Sequence, residues 1–307
     1  MRAKDFLSID QLTADELDGL IALSLDLKRR PSIGSELLLH RTVALLFQKP
    51  SLRTRVSFEI AALELGGRSL YLSPAEVGLG QREAVADVAR VLSRYVHALV
   101  ARTFLHEDVE QLAAAASIPV VNGLSDRSHP CQILADLVTM HERFGSLRGL
   151  NVTFVGDGNN VARSLIEAAP LAGFHFRFAG PSGYEPDGAA IADAKARGGD
   201  VSVTHDPVEA VRVADVIYTD AWFSMGEEAQ REARAAVFPP FRVNAELVNA
   251  APDHAVVMHC LPAHRGEEIT DEVIEGPHSI VFDQAENRLH AQKALLVHLL
   301  VGDQALR

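Results

Sequence analysis

Basic and hydroxyl side chains crowd one short segment of this sequence, residues 47–55, which reads FQKPSLRTR. An apolar run typical of a buried parallel strand precedes the segment, and a helical pattern ended by two glycines follows it. Ser51, Arg53 and Thr54 therefore fall at a helix N-terminus, where N–H groups lack partners and the helix dipole is positive. Two hydroxyls and a guanidinium at such a helix end predict an anion site, most suitably for phosphate.

An ordinary helix cap with a solvated arginine is the simpler interpretation of these residues. Lys49, Arg53 and Arg55 fall in the same turn, however, and like charges repel each other unless an anion is present. The whole chain has a net charge of −12, so the cluster is not part of a generally basic surface. The same acidic balance argues against binding to nucleic acid. We therefore predict a local anion site.

Five further polar clusters follow predicted strands or open predicted helices, at residues 129–132, 156–161, 220–226, 259–266 and 286–288. His129 and Gln132 suit a carbonyl and an amide group, Asp220 suits an ammonium group, and Cys260 beside His259 has the surroundings of a reactive thiol. Each cluster alone also fits a helix cap, a solvated side chain or inert packing. Ligands of open parallel sheets bind outside the carboxyl ends of the strands, so together the clusters favour a ligand site.

The loop at residues 156–161, GDGNNV, nearly matches the dinucleotide-binding fingerprint and supports an alternative function, a nicotinamide-dependent oxidoreductase. Val161 occupies the place of the third glycine, and no acidic residue for a ribose hydroxyl ends the next predicted strand. Both departures argue against a dinucleotide. A loop of glycine and asparagine after a strand still suits a polar ligand.

Short apolar runs alternate with helical patterns along the chain, which predicts an α/β fold with parallel sheets covered by helices. Strands are predicted at residues 43–47, 69–72, 98–101, 119–122, 151–155, 175–179, 201–204, 216–219, 255–259 and 280–283. Helices are predicted at residues 55–65, 83–95, 109–116 and 130–144, with a last helix at 284–301 that can pack on either half. The break at residues 145–149 marks a domain boundary.

The 307 residues suffice for two domains, and 48% hydrophobic with 23% charged residues is the balance of a globular protein. Two cysteines are too few for a disulfide framework and fit a reducing cytoplasm. No secretory signal is visible, and no apolar run approaches the length of a membrane span. We therefore expect a cytoplasmic protein without membrane contact.

Together these motifs resemble the aspartate/ornithine transcarbamylase family over essentially the whole chain. The matching stretches are FQKPSLRTR, EAVAD with LSRY, HPCQILAD, GDGNN, TDAWFSMG, HCLPAHRGEE and AENR. The resemblance implies a carbamoyl phosphate-binding domain at 1–145, an ornithine-binding domain at 146–286, a terminal helix at 287–307 returning to the first, and an active site in the cleft between the domains. It implies carbamoyl transfer to the δ-amine of ornithine, giving citrulline, by a homotrimer or a multiple of trimers.

The site residues that the resemblance implies fall into three groups. Those for carbamoyl phosphate are Ser51, Leu52, Arg53, Thr54, Arg102, His129, Gln132, Cys260, Leu261 and Arg288. Those for ornithine are Asn160, Asp220, Ser224 and Met225, and the catalytic groups are Cys260, Arg53, Arg102 and His129. No cofactor and no metal is expected, since the histidines show neither HExxH spacing nor a CxxC partner.

Two positions depart from the family pattern. Leu52 stands where many members have threonine, so a phosphate contact there has to come from the backbone N–H. Gly78 stands where many members have a glutamine that contacts carbamoyl phosphate, and Gln81 is close to it in sequence.

Other acceptors are compatible with the same phosphate half, namely aspartate, acetylornithine and putrescine. Aspartate carries a second carboxylate and requires cationic side chains, whereas the loop at 220–226 offers Asp220, Ser224 and Met225. This loop favours an amino acid with a second amine. A member that binds phosphate compounds without catalysis is a further alternative, although every reactive position is present.

Overall fold

Alternating apolar and amphipathic segments fold into two parallel sheets flanked by helices, which confirms the predicted fold class. The computed structural model describes residues 4–223 and 231–302. Two compact units result, Met1–Glu142 with Glu286–Arg307 and Arg143–Ala285. Among the helices of the described residues, none combines the length and apolar character needed to cross a membrane.

The first unit contains a four-stranded parallel sheet with the order β2-β1-β3-β4. Its strands are β1 Thr42–Phe47, β2 Arg68–Leu72, β3 Ala98–Arg102 and β4 Val120–Leu124. Its helices are α1 Ala14–Arg29, α2 Leu52–Glu64, α3 Pro74–Val77, α4 Val85–Leu92, α5 His106–Ala115, most of α6 Pro130–Phe144 and most of α13 Val281–Leu300. Phe47 pairs with Arg102, and Arg102 pairs with Leu124, so the carboxyl ends of β1, β3 and β4 lie level.

The second unit contains a five-stranded parallel sheet with the order β7-β6-β5-β8-β9. Its strands are β5 Asn151–Val155, β6 His175–Ala179, β7 Asp200–Thr204, β8 Val216–Thr219 and β9 Val256–His259. Its helices are α7 Asn160–Ala172, α8 Gly188–Ala196, α9 Pro207–Val211, α10 Arg231–Val237, α11 Ala245–Asn249 and α12 Asp271–Ile274. Stacked rings of Phe154, Phe178 and Tyr218 fill the core between neighbouring strands.

The strand predicted at residues 280–283 is wrong. Ser279 makes one isolated bridge to Val257, and α13 begins at Val281. The Gln284 N–H donates to the Ile280 carbonyl (2.9 Å), which is already a helical hydrogen bond. Three apolar residues in a row fit both a strand and a helix, so the sequence pattern alone cannot separate them.

Helix α2 begins three residues earlier than the predicted start at residue 55. Ser51 is its N-cap, and the Ser51 hydroxyl accepts from the Thr54 N–H at 3.4 Å. Residues 52–55 are mostly polar, so apolar periodicity does not reveal that they are helical. Arg53 and Thr54 consequently lie in the first turn of α2, which faces the carboxyl end of the sheet.

Candidate active site

Buried polar side chains join α2 and α6 to α13 in the first unit. The Arg288 guanidinium donates to Gln132 Oε1 (2.6 Å) from one nitrogen and to Thr54 Oγ1 (3.2 Å) from another. Gln132 in turn donates to the Asp136 carboxylate at 2.8 Å. All four side chains are buried, so the network orders the guanidinium at the N-termini of two helices. A charged group is thereby fixed where the helix dipoles are also positive.

Three guanidinium groups act on His129, which directly precedes α6. Burial lowers the pKa of His129 well below 6.5, and the charges of Arg288, Arg102 and Arg53 lower it further. The imidazole is therefore neutral at pH 7 and can donate a hydrogen bond without adding a fourth positive charge. The fold thus brings six of the predicted residues together, and their positive charges favour an anion; they are Arg53, Thr54, Arg102, His129, Gln132 and Arg288.

Arg102 reaches this point because it ends β3. Its side chain is buried, and its carbonyl accepts from the Gln48 N–H at 2.7 Å. On the next strand, a Cβ at Gly123 would lie 3.2 Å from the Ala101 carbonyl oxygen and 3.6 Å from Thr54 Cγ2. Glycine therefore relieves a close contact with the neighbouring strand β3 beside Arg102, whereas Thr54 would be at ordinary contact distance.

Two cations of the FQKPSLRTR segment, Lys49 and Arg55, contact side chains other than His129, although the sequence places them in the same turn as Arg53. Arg55 forms an ion pair with Glu59 (2.9 Å) and lies 3.9 Å from the centroid of the Tyr71 ring. The Lys49 ammonium lies 4.7 Å from the centroid of the Phe104 ring. Of the three cations, Arg53 is the one whose charge bears on His129.

The two departures from the family pattern have different structural settings. Leu52 opens α2 with its side chain exposed, and the N–H groups of a first helical turn have no partner inside the helix. Gly78 caps α3 with φ +56, and a Cβ there would lie 2.8 Å from Arg82 Cβ. Glycine at 78 is thus required by the local backbone, and Gln81 donates its N–H back to the Gly78 carbonyl (2.9 Å).

Asp220 is the centre of a second polar cluster, in the second unit. Its Oδ1 accepts from Cys260 Sγ (3.0 Å), and its Oδ2 accepts from Asn159 Nδ2 (2.8 Å). Asn159 was not predicted as a site residue, yet it also caps α7 through its side-chain oxygen. The predicted residue Asn160 begins α7, and its carbonyl accepts from Ser164. Ser224 and Met225 lie outside the described residues.

A buried histidine and glutamate hold the turn that carries Cys260. Leu261, with φ +57, donates its N–H to His259 Nδ1 (2.9 Å), so Nε2 is assigned the proton and donates to Glu268 Oε1 (3.0 Å). Glu268 also accepts from the His264 N–H at 2.6 Å. Glu268 lies in the HCLPAHRGEE stretch but was not predicted as a site residue, because spacing alone does not reveal its contact with His259.

Within residues 4–223 and 231–302, two groups of side chains have donor atoms close enough to hold a metal ion, all within 4.8 Å of one another in each group. The first consists of Asp220, His259 and Cys260, whose O, N and S atoms suit zinc. In this structure the same atoms make the hydrogen bonds described above. The second consists of His264, Glu267 and Glu268. Each group includes one residue of the His259–Glu268 pair that holds the turn at Cys260.

Comparisons with known proteins agree on one family. The family model for the aspartate/ornithine carbamoyltransferase carbamoyl-P binding domain matches residues 4–142, and that for the Asp/Orn binding domain matches residues 148–299. The chain is 51% identical to ornithine carbamoyltransferase of Methanoculleus marisnigri over 304 residues, 98% of each chain. It is similar to the crystal structure of ornithine carbamoyltransferase from Thermus thermophilus (TM-score 0.90, 49% identity, 98% and 100% covered) and to that from Pyrococcus furiosus (TM-score 0.92, 52% identity, 97% of each chain).

The different burial of the two cysteines predicts that they react at very different rates with an alkylating reagent. Burial raises the pKa of the Cys131 thiol to about 12, whereas Cys260 is partly exposed. A pKa of about 12 lowers the thiolate fraction roughly a thousandfold relative to an ordinary thiol. We expect iodoacetamide to label Cys260 in the folded protein and to leave Cys131 unlabelled, as measured by peptide mass spectrometry. Denatured protein, the control, should be labelled at both; equal rates in the folded protein would contradict the burial argument.

Proposed function

The chain belongs to the aspartate/ornithine carbamoyltransferase family, and we propose that it transfers the carbamoyl group of carbamoyl phosphate to the δ-amine of L-ornithine, giving L-citrulline and phosphate. The observation that carries this proposal is the action of three guanidinium groups on the buried His129. His129, Arg53 and Arg102 lie within the residues that match the family's carbamoyl-P binding domain, and Arg288 lies within the match to the other family domain.

In the proposed mechanism the first unit binds the donor substrate. Arg53, Arg102 and Arg288 hold the phosphate and stabilise the charge that develops on it as it leaves. The neutral His129 donates to the carbamoyl oxygen and, with Thr54, makes the carbamoyl carbon more electrophilic. Ser51, the Leu52 N–H and Gln132 complete the contacts that the family resemblance implies.

The second unit supplies the groups for the acceptor. Asp220, held by Asn159, attracts the amine end of ornithine, and Cys260 orients the neutral amine for attack. Asn160, Ser224 and Met225 retain the ornithine contacts that the family resemblance implies, and Cys260 and Leu261 retain theirs with carbamoyl phosphate. The cluster around Asp220 consists of a carboxylate, a thiol and an amide, which suits a diamine better than the two carboxylates of aspartate.

We further propose that the protein is a cytoplasmic homotrimer or a multiple of trimers. Helix α2 carries exposed apolar side chains at helical spacing along one face, at Leu52 (75%), Val56 (46%), Ile60 (36%) and Leu63 (65%). An exposed apolar stripe of this kind indicates a protein interface, and a second copy of the chain fits the assembly typical of the family. Two free cysteines, Cys131 and Cys260, suit a reducing compartment.

The experiment that tests the function is a citrulline colour assay. Carbamoyl phosphate is supplied with ornithine, aspartate, putrescine or acetylornithine, and product is measured for each acceptor. We expect product with ornithine and little with the other three, because only ornithine combines a free α-amino acid with a second amine. A faster reaction with another acceptor would show that this acceptor, and not ornithine, is the substrate. No reaction with any acceptor would favour the alternative of a protein that binds phosphate compounds without catalysis.

Arg53→Ala should lower kcat about a hundredfold, because the lost contact strengthens as phosphate departs. The KM for ornithine should change much less, since the substitution lies in the other unit. Arg55→Ala is the matched control, because Arg55 lies two residues away and pairs with Glu59 instead. Steady-state kinetics that show an unchanged kcat for Arg53→Ala would remove Arg53 from this role.

Activity should rise from pH 7 towards pH 9. His129 has a pKa well below 6.5, so it is already neutral at pH 7 and does not titrate in this range. The rise therefore reports ornithine, whose lysine-like amine has a pKa of about 10.4 and is neutral in only about one molecule in 2,500 at pH 7. The measurement is kcat/KM for ornithine across the range, and a flat profile is the contrary result.

His129 should also make the protein less stable in acid. Its pKa is lowered on folding, so the unfolded chain takes up a proton near pH 6.5 while the folded chain does not. The lowered pKa therefore does not reduce the free energy of unfolding above about pH 6.5. As the pH falls below that value, protonation of the unfolded chain reduces the free energy of unfolding. His129→Gln should reduce this loss in denaturant titrations.

Leu63→Glu should reduce the size of the assembly by placing a charge in the exposed stripe of α2. The wild type should have about three times the 33.2 kDa chain mass, or a multiple, by light scattering. Leu39→Glu is the control, since Leu39 is also exposed (54%) but lies outside α2. A monomeric wild type would contradict the proposed assembly.

A further inference from the structure

A buried arginine joins two loops of the second unit. Arg234 of α10 is 7% exposed, and its Nη1 lies 2.8 Å from the Asp157 carboxylate. The same nitrogen donates to the Trp222 carbonyl oxygen. Asp157 belongs to the loop after β5, and Trp222 belongs to the loop after β8. One guanidinium group therefore connects two loops whose contact residues, Asp157 and Trp222, are 65 positions apart in sequence.

Aromatic rings enclose this connection. The guanidinium carbon of Arg234 lies 5.0 Å from the centroid of the Tyr184 ring and 5.7 Å from that of Phe238. Trp222 and Tyr184 each pack on Phe238, with centroids 5.5 Å and 4.8 Å apart. Water is largely kept from the ion pair, so removing one partner leaves the other charge buried without compensation. The rings also restrict the guanidinium to one orientation.

The two loops carry the residues around which the acceptor site is proposed. Asn159 follows Asp157 by two residues, and Asp220 precedes Trp222 by two, and the side chains of Asn159 and Asp220 are hydrogen-bonded at 2.8 Å. The turn between Asp157 and Asn159 is tightly packed, because a Cβ at Gly158 would lie 2.2 Å from the Pro186 nitrogen. The separation of Asn159 and Asp220 therefore depends on where Arg234 holds the loops.

We propose that Arg234 is a positioning residue for the acceptor substrate. It fixes the loops after β5 and β8 so that Asp220 presents its carboxylate to the amine end of the acceptor in one geometry. Arg234 itself need not touch the substrate, and it acts through Asp157 and the backbone at Trp222. This inference rests on the proposed function, since it concerns the site that would receive ornithine.

The test compares Arg234→Met, Arg234→Lys and Asp157→Asn with the wild type. Arg234→Met should raise the KM for ornithine about ten- to hundredfold, because a misplaced Asp220 loses a charge-assisted hydrogen bond to the amine, which weakens binding by roughly that factor. The KM for carbamoyl phosphate should stay within about twofold, as for a substitution remote from that site. Arg234→Lys should give an intermediate KM, since lysine keeps the positive charge but lacks the planar guanidinium that lies against the Tyr184 and Phe238 rings. A variant that combines Arg234→Met with Asp157→Asn should be less impaired than the sum of the two single variants, because both substitutions break the same contact.

Phe176→Leu is the control for general loss of stability, since Phe176 is a buried residue of β6 in the same unit. It should lower the melting temperature without raising the KM for ornithine. Hydrogen exchange at residues 156–160 and 220–223 should increase in Arg234→Met and not in Phe176→Leu. This readout needs no activity, so it tests the connection between the loops independently of the reaction.

The inference is overturned if Arg234→Met keeps the KM for ornithine within twofold of the wild type, or if Phe176→Leu raises it equally. If Arg234→Met does not fold, Asp157→Asn and Arg234→Lys decide by the same criteria. A wild type that makes no citrulline from ornithine contradicts the proposed function instead. Unchanged exchange at both loops in Arg234→Met would remove the positioning role whichever acceptor is used.

Discussion

Repulsion among buried positive charges governs the chemistry of the first unit. Arg53, Arg102 and Arg288 all lower the pKa of His129, and the side chains of Arg102, His129 and Arg288 are buried. Positive charges held together away from water are costly unless an anion accompanies them. The first turn of α2 adds its own N–H groups at the same end. The arrangement is therefore most stable with an anion bound, and a phosphate leaving group gains more from it as its charge grows.

Chain topology is what brings these charges together. Ser51 and Thr54 follow β1, Arg102 ends β3, and His129 follows β4, so the level carboxyl ends of a parallel sheet bring them to one edge. Arg288 arrives from α13, where it bonds to Gln132 across 156 residues of sequence. Such a long-range contact means that the first unit needs both ends of the chain. The site is thus a property of the completed fold and of no single segment.

Sequence reasoning succeeded where one local rule decided the structure. Pro130 suits the first turn of a helix, and the predicted bounds of α6, Pro130–Phe144, are confirmed. The same holds at α1, where a threonine and a glutamate three residues apart, Thr13 and Glu16, form a capping box. Prediction from the sequence failed where two rules competed, as at residues 280–283, or where no periodicity existed, as in the first turn of α2. A three-residue apolar run and a polar helical turn carry too little pattern to be assigned.

Side-chain contacts in the candidate site were harder to predict than its location. Asn160 of the loop GDGNN stays a prediction, and its neighbour Asn159, which was not predicted, caps α7 and contacts Asp220. Glu268 and Arg234 act on functional loops from 9 and 12 residues away along the chain, on His259 and the Trp222 carbonyl respectively. Spacing in sequence does not encode such contacts, which depend on how loops pack.

In the proposed function, the two substrates are therefore recognised by different interactions, the donor mainly by charge and the acceptor mainly by the geometry of a few polar groups. In the site proposed for the first unit, charge dominates, because guanidinium groups form paired, charge-assisted hydrogen bonds to phosphate. In the second unit, the polar groups around Asp220 are few, and their geometry depends on packing behind them, through the aromatic enclosure of Arg234 and the His259–Glu268 pair. Loops held by packing can be reshaped without disturbing the phosphate site. Under the proposed function, the residues that select the acceptor are separate from those that stabilise the leaving phosphate, so a change of acceptor leaves the donor site intact.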